Sequence, residues 1–140
     1  MGIKLLAEFL GTSIDDKDVF AIINTIRKGV SPLACKKVAD RLGISISDLG
    51  NLLNISDRTL MRYEKSDKLL PKPLSDHLVQ IANTILRAEE VFEDKDKARR
   101  WLLKPCRALG DHSPLNLLDT FSGGRLVENE LGRIEWGVYS

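Results

Sequence analysis

The sequence predicts an all-α protein, and three observations carry that reading. Apolar residues recur at three- and four-residue spacing almost throughout, while no stretch alternates with period two for long enough to make a strand. Serine-proline pairs at Ser31-Pro32 and Ser113-Pro114, and glycines at Gly29, Gly43 and Gly110, stand where helices start and stop. The chain has 140 residues, enough to bury about 68% of its unfolded surface, so one compact unit or two small helical subdomains need no disulfide staple.

Taken in order, Lys4 to Phe9 forms a short helix closed by Gly11. A second runs from about Asp15 to Lys28, with Asp15, Asp16 and Asp18 at its positive end and Gly29 just beyond its basic end. Val19, Ile22, Ile23 and Ile26 give it an apolar face. Ser31-Pro32 opens a third helix that carries Val38, Ala39 and Leu42 and stops at Gly43; Ser45 to Leu53 and Ser56 to about Glu64 are two shorter ones. A proline-punctuated connector, DKLLPKP, leads into the longest helix, Leu74 to Phe92, with Leu78, Ile81, Ala82, Ile85 and Leu86 on one face. The charge run Glu93 to Arg100 reads as a solvated helix surface or a turn where two halves meet. Beyond it lie a short helix ending at Lys104-Pro105, a loop through Gly110, a helix started by Ser113-Pro114, a break at Ser122-Gly123-Gly124, and a last helix from Arg125 to Trp136. The division expected is an N-terminal helical domain over residues 1–82 and a smaller helical domain over 83–140.

The segment from Ile46 to Tyr63 meets the demands of a helix-turn-helix. Two helices crossing at a tight turn need buried apolar residues on both, a very small residue at closest approach, and an adaptable turn residue. Leu49 and Leu53 supply the first helix, Ile55 plugs the turn, and Leu60 and Tyr63 face inward from the second. Gly50 permits the close approach, Asn54 takes the left-handed turn conformation, and Ser56 caps the second helix. With those positions buried, Asp57, Arg58, Met61, Arg62 and Lys65 point outward and, with Ser56 and Thr59 at the helix start, form the candidate DNA-binding set. Arg58 and Arg62 are the reading heads, because arginine bonds guanine bidentately. Lys65, Lys68 and Lys72 are placed to neutralise phosphates. Asp57, Glu64 and Asp67 reduce the excess of this stretch to five cations minus three anions, or +2. A helical pair used only for packing satisfies the same apolar spacing.

Other chemistry finds little support. The net charge of +1 gives no global basic field. Cys35 and Cys106 belong to no CxxC pair, and with no secretory signal they read as inert free thiols in a reducing cytoplasm. His77 and His112 stand apart from each other and from any metal-ligand spacing. Ser113 is a helix cap rather than a nucleophile, and no GxSxG elbow, phosphate loop or HExxH motif occurs. No run approaches the ~20 apolar residues of a membrane span. The expectation is a cytoplasmic protein with no catalytic residue, no metal and no cofactor.

The C-terminal part resembles the C-terminal domain of the Xre/MbcA/ParS antitoxins. The likeness rests on Trp101-Leu102, the Ala108-Leu109-Gly110 turn, Ser113-Pro114, Leu117-Leu118, Gly124, Val127, Leu131, Ile134 and the Gly137 tail. With the upstream helix-turn-helix it covers roughly residues 45–140; the first forty residues carry no likeness to a named family. The resemblance implies a type II toxin-antitoxin partner, a RES-domain toxin that degrades or transfers from NAD, held inactive by the antitoxin's C-terminal region. It also implies self-association as a homodimer within a hetero-oligomer and binding of the operon's own operator DNA. Val127, Leu131 and Ile134 give the last helix its apolar face, leaving Arg125, Glu128, Arg133 and Glu135 for solvent or a partner. Trp136 and Tyr139 are the aromatic anchors interfaces favour. The implied toxin-binding set is Arg133, Trp136, Gly137, Val138, Tyr139 and Ser140, with Gly137 to Ser140 as a tail into the toxin cleft. Two other readings stay open: a stand-alone helix-turn-helix regulator whose C-terminal half dimerises, and an antitoxin whose helix-turn-helix has lost its DNA affinity.

Overall fold

Helices account for all the regular structure of residues 19–137, which the computed structural model describes. In chain order they are α1 (Val19–Lys28), α2 (Leu33–Leu42), α3 (Ile46–Leu52), α4 (Asp57–Ser66), α5 (Lys72–Phe92), α6 (Lys95–Leu103) and α7 (Phe121–Glu135), with 3-10 turns at Arg107–Leu109 and Leu115–Asp119. Among the described residues there is no strand, and one isolated bridge pairs Cys106 with His112. The protein is all-α, as the periodicity predicts. The expected helix over Lys4 to Phe9 and the first turn expected from Asp15 lie outside the described residues.

Caps and turns fall where the residue chemistry puts them. Gly43 closes α2 with φ 69°, and the Ser45 and Ser56 hydroxyls accept hydrogen bonds from Asp48 N and Thr59 N to start α3 and α4. Asn54, at φ 60°, makes the left-handed turn between them. Asp94 caps α6 by accepting from the backbone N–H groups of Asp96 and Lys97 at 2.8 and 3.1 Å. These bonds, Lys97 first, hold its carboxyl below the usual range. The charge run therefore begins a helix and does not divide the halves. The chain separates into two compact units between Asn83 and Thr84, inside α5.

In the first unit, α2 packs on α3 and α3 on α4. Ala34, Cys35, Val38, Ala39 and Leu42 from α2, Leu49, Leu52 and Leu53 from α3 and its cap, and Leu60 from α4 are buried. A small polar hub closes this unit. Ser75, fully buried, accepts from Val30 N at 3.0 Å and donates to Leu70 O at 3.0 Å, while Leu70 N donates to Val30 O at 2.9 Å. Gly29 makes the approach possible: its φ is 102°, and a Cβ there would sit 2.3 Å from Leu70 O. The apolar face expected on α1 is only half covered, with Ile22 and Ile26 half-buried and Val19 and Ile23 exposed.

In the second unit Ala98 and Leu102 of α6, Leu109, Leu115 and Leu118 of the two 3-10 turns, and Val127 and Leu131 of α7 are buried. Phe92 and Trp101 rings meet at 5.5 Å and 45°. The expected break at Ser122-Gly123-Gly124 is the first turn of α7, which starts four residues earlier than Arg125. Thr120 caps it by accepting from Gly123 N at 3.0 Å. Gly123 serves proximity rather than interruption, since a Cβ on it would lie 1.9 Å from Leu117 O.

Candidate functional site

On α4 the helical advance of 100° per residue gathers Arg58, Met61, Arg62 and Lys65 within about 100° of arc, opposite buried Leu60. All four are exposed, and with Ser66 they line an open concavity. The other expected members behave differently. Ser56 spends its hydroxyl on the cap, accepting from Thr59 N at 3.1 Å and donating to Thr59 Oγ1 at 3.0 Å; Thr59 is half-buried. Asp57 is exposed, but its Oδ2 accepts from Ser47 Oγ of α3 at 3.1 Å. The acid at the start of α4 is thereby hydrogen-bonded to the neighbouring helix, a role that neither residue's type announced. The Arg62 guanidinium stands 5.9 Å from the Tyr63 ring centroid, and Lys65, Lys68 and Lys72 are exposed. Gly50 lies where a Cβ would meet Ile55 O at 3.2 Å, the close approach the motif requires. Ile55 and Tyr63 are half-buried rather than fully inward.

At the other end of the chain, Arg133 is exposed with its Nε 3.8 Å from Glu130. Trp136 caps α7, donating its N–H to Gly132 O at 3.1 Å, and is 80% exposed. Gly137 follows at φ 67°. Val138, Tyr139 and Ser140 lie outside the described residues. Three of the four charged residues left for solvent or a partner are engaged inside the unit, Arg133 loosely with Glu130 and the two acids by hydrogen bonds. Glu128 Oε1 accepts from Thr84 Oγ1 at 3.0 Å. Glu135 takes a two-pronged pair from Arg87, with Nη1 to Oε2 at 2.8 Å and Nη2 to Oε1 at 2.6 Å. That fork holds the Glu135 carboxyl below its ordinary range and lifts the Arg87 guanidinium above its own. Periodicity cannot find these bonds, because their partners are 44 and 48 residues apart.

Both cysteines are free thiols. Burial, reinforced by Glu64, pushes the Cys35 thiol up to about 12, which removes its nucleophilic form at neutral pH. Among the described residues no group of His, Cys, Asp and Glu is placed to hold a metal ion, and no helix is long and apolar enough to cross a membrane.

Two family models match. Residues 21–83 match the antitoxin Xre-like helix-turn-helix domain, and residues 87–137 match the antitoxin Xre/MbcA/ParS C-terminal toxin-binding domain. The first match starts well before residue 45, so α1 and α2 belong to the helix-turn-helix domain; the core that α2 shares with α3 and α4 is the physical reason. An "Antitoxin Xre" of Photorhabdus laumondii is 36% identical over 95 residues, covering 65% of this chain and 64% of that protein, slightly under two thirds of its length. An "Antitoxin Xre" of Yersinia enterocolitica is 28% identical over 120 residues, 85% of this chain and 81% of that one. A "Prs ADP-ribosylating antitoxin" of a Sphingobium species is 24% identical over 127 residues, 84% and 80% of the two chains. A helix-turn-helix domain followed in order by a toxin-binding domain, each matched to its own model, places this chain in the Xre/MbcA/ParS antitoxin family.

Proposed function

We propose that this antitoxin acts in the cytoplasm as a homodimer within a toxin-antitoxin hetero-oligomer, inhibiting a RES-domain toxin that consumes NAD or transfers ADP-ribose from it. Residues 83–140 face the toxin; residues 1–82 face the operator of the antitoxin's own operon and repress it. Binding, not catalysis, is the whole of its activity. The observation that carries the reading is the toxin-binding match over residues 87–137, which ends on the exposed Trp136. The Sphingobium relative's name, which links an antitoxin to ADP-ribosylation, supports the class of toxin.

In this reading Arg133, Trp136 and Gly137 lead into the tail Val138, Tyr139 and Ser140, which enters the toxin's NAD cleft. A large exposed aromatic beside a glycine at positive φ suits an anchor whose contact area lies on the partner. Arg58 and Arg62 read base edges in the major groove, Met61 and Lys65 flank them, and Ser56, Asp57 and Thr59 set the start of the reading helix. Co-expression with a RES-domain toxin is the test. The full chain restores growth and co-purifies with the toxin, whereas a chain lacking residues 137–140 loses both. Growth rescue by the truncated chain overturns the tail assignment. Failure of the full chain to bind any RES-domain protein, with operator binding intact, favours a stand-alone regulator.

A further inference from the structure

The pair between Arg87 and Glu135 has a position that bears on how the tail is presented. Glu135 is the last residue of α7, where the negative end of the helix dipole disfavours a carboxylate. An acid there loosens the last turn unless a cation offsets it. Arg87, on α5, supplies that cation in the geometry that constrains direction as well as distance, two parallel N–H···O bonds at 2.6 and 2.8 Å. One α7 heptad earlier, the Thr84 hydroxyl donates to Glu128 at 3.0 Å. Two polar contacts therefore run along one side of α7, and the second ends one residue before exposed Trp136. The turn that follows is itself defined, with Trp136 N bonded to Gly132 O and Gly137 N to Ile134 O, both at 3.1 Å.

We infer that Arg87 is a positioning residue for toxin neutralisation: through Glu135 it fixes the last turn of α7, so that Trp136 and Gly137 leave the domain in one direction, without Arg87 touching the toxin. This rests on the reading that the C-terminal segment is the toxin contact. Ordinary exposed ion pairs contribute almost nothing, and the side chains of this one are 30% and 36% accessible. Its effect is therefore local order at the helix end, and it reaches affinity because a helix end and Trp136 that are already oriented lose less freedom on binding.

The test uses the full-length antitoxin with the RES-domain toxin recovered by co-expression, and four variants: Arg87→Glu, Glu135→Arg, the double Arg87→Glu/Glu135→Arg, and a truncation after Trp136. In the free antitoxin, amide hydrogen exchange at residues 133–137 rises in Arg87→Glu, where two carboxylates meet at the helix end, rises less in Glu135→Arg, where an arginine suits the dipole but faces Arg87, and returns toward the starting level in the double. Toxin affinity falls by roughly 3- to 10-fold in the singles, the range of a modest preorganisation effect, and recovers in the double. Unchanged exchange in Arg87→Glu overturns the inference. Weakened binding that the double variant does not recover also overturns it, because it means that Arg87 or Glu135 meets the toxin directly. The truncation addresses the underlying reading alone: if it leaves affinity unchanged, the tail is not the toxin contact, whatever exchange at residues 133–137 reports.

Discussion

Cys35 and Cys106 show how burial, not residue type, sets reactivity. The Cys35 thiol is fully buried and pushed up to about 12, burial acting first and Glu64 second; Cys106 is half-buried. Iodoacetamide added to the native protein labels Cys106 and spares Cys35 until the chain is unfolded, which peptide mass spectrometry reads directly. The linkage has a definite sign. A thiol whose folded value lies above its unfolded value of about 8.5 stabilises the fold fully below that pH and loses its contribution as the pH rises toward 12. The stability advantage of the native chain over Cys35→Ala therefore narrows above about pH 9 in urea melts; a constant gap to pH 11 contradicts it. On the reading helix, replacing Arg58 or Arg62 with Ala costs ~1 to 3 kcal/mol of operator binding and spares toxin binding. Unchanged operator affinity in both variants, by fluorescence anisotropy, means the pair of helices serves packing alone.

The glycines of α7 separate two uses of one residue at the level of a single element. Gly123 lies against the Leu117 carbonyl with no room for a Cβ, whereas Gly124 and Gly132 have nothing within 4 Å of theirs. Gly123→Ala is expected to destabilise the chain by about 1–3 kcal/mol, the range for overpacking. Gly124→Ala and Gly132→Ala stabilise by roughly 0.5–1 kcal/mol, because alanine loses less backbone entropy in a helix. Thermal melts of the three variants decide the matter, and equal effects at positions 123 and 124 refute the packing argument. The Ser75 hub makes a comparable case. Ser75→Ala leaves Val30 N without its buried acceptor, at a cost of about 1–3 kcal/mol, and Thr, which keeps the hydroxyl, recovers part of the loss.

For the molecule as a whole, near-neutral charge limits how DNA binding can work. Arg58, Arg62, Lys65, Lys68 and Lys72 are the five cations on and just after the reading helix. At about 0.9 per neutralised phosphate, they allow a slope of log affinity against log salt no steeper than about 4.5 for each protomer. A steeper measured slope requires cations from elsewhere in the chain, and a slope near zero means that operator binding is absent. Tail truncation and the Arg58 or Arg62 variants are expected to act independently, one abolishing growth rescue and the other derepressing a promoter reporter, because the affected residues lie in separate compact units.

Much of the architecture was legible in the sequence because its causes are local. Helical period, serine caps, Gly43 and the left-handed Asn54 act within a turn or two of themselves, and the helix-turn-helix and the helical end of the chain follow from them. The solvent-facing Arg58, Met61, Arg62 and Lys65 were legible for the same reason, since one buried face fixes the opposite one. Locality also explains the misses. Gly123-Gly124 read as a break because glycine weakens a helix in isolation, while the nearness of the Leu117 carbonyl, which makes a Cβ impossible at Gly123, is a fact of packing. The Ser47 hydrogen bond to Asp57 was not legible because Ser47 lies on another helix, and Glu128 and Glu135 read as open to solvent or a partner because Thr84 and Arg87 are more than forty residues away. The sequence by itself determined most of the helical segments among the described residues and the buried faces of α2, α3 and α7; only the tertiary structure decided that α1 stays half covered, that Ser113-Pro114 opens a 3-10 turn, and which polar groups on the remaining faces are already committed, because packing and hydrogen bonds between distant residues leave no periodic trace.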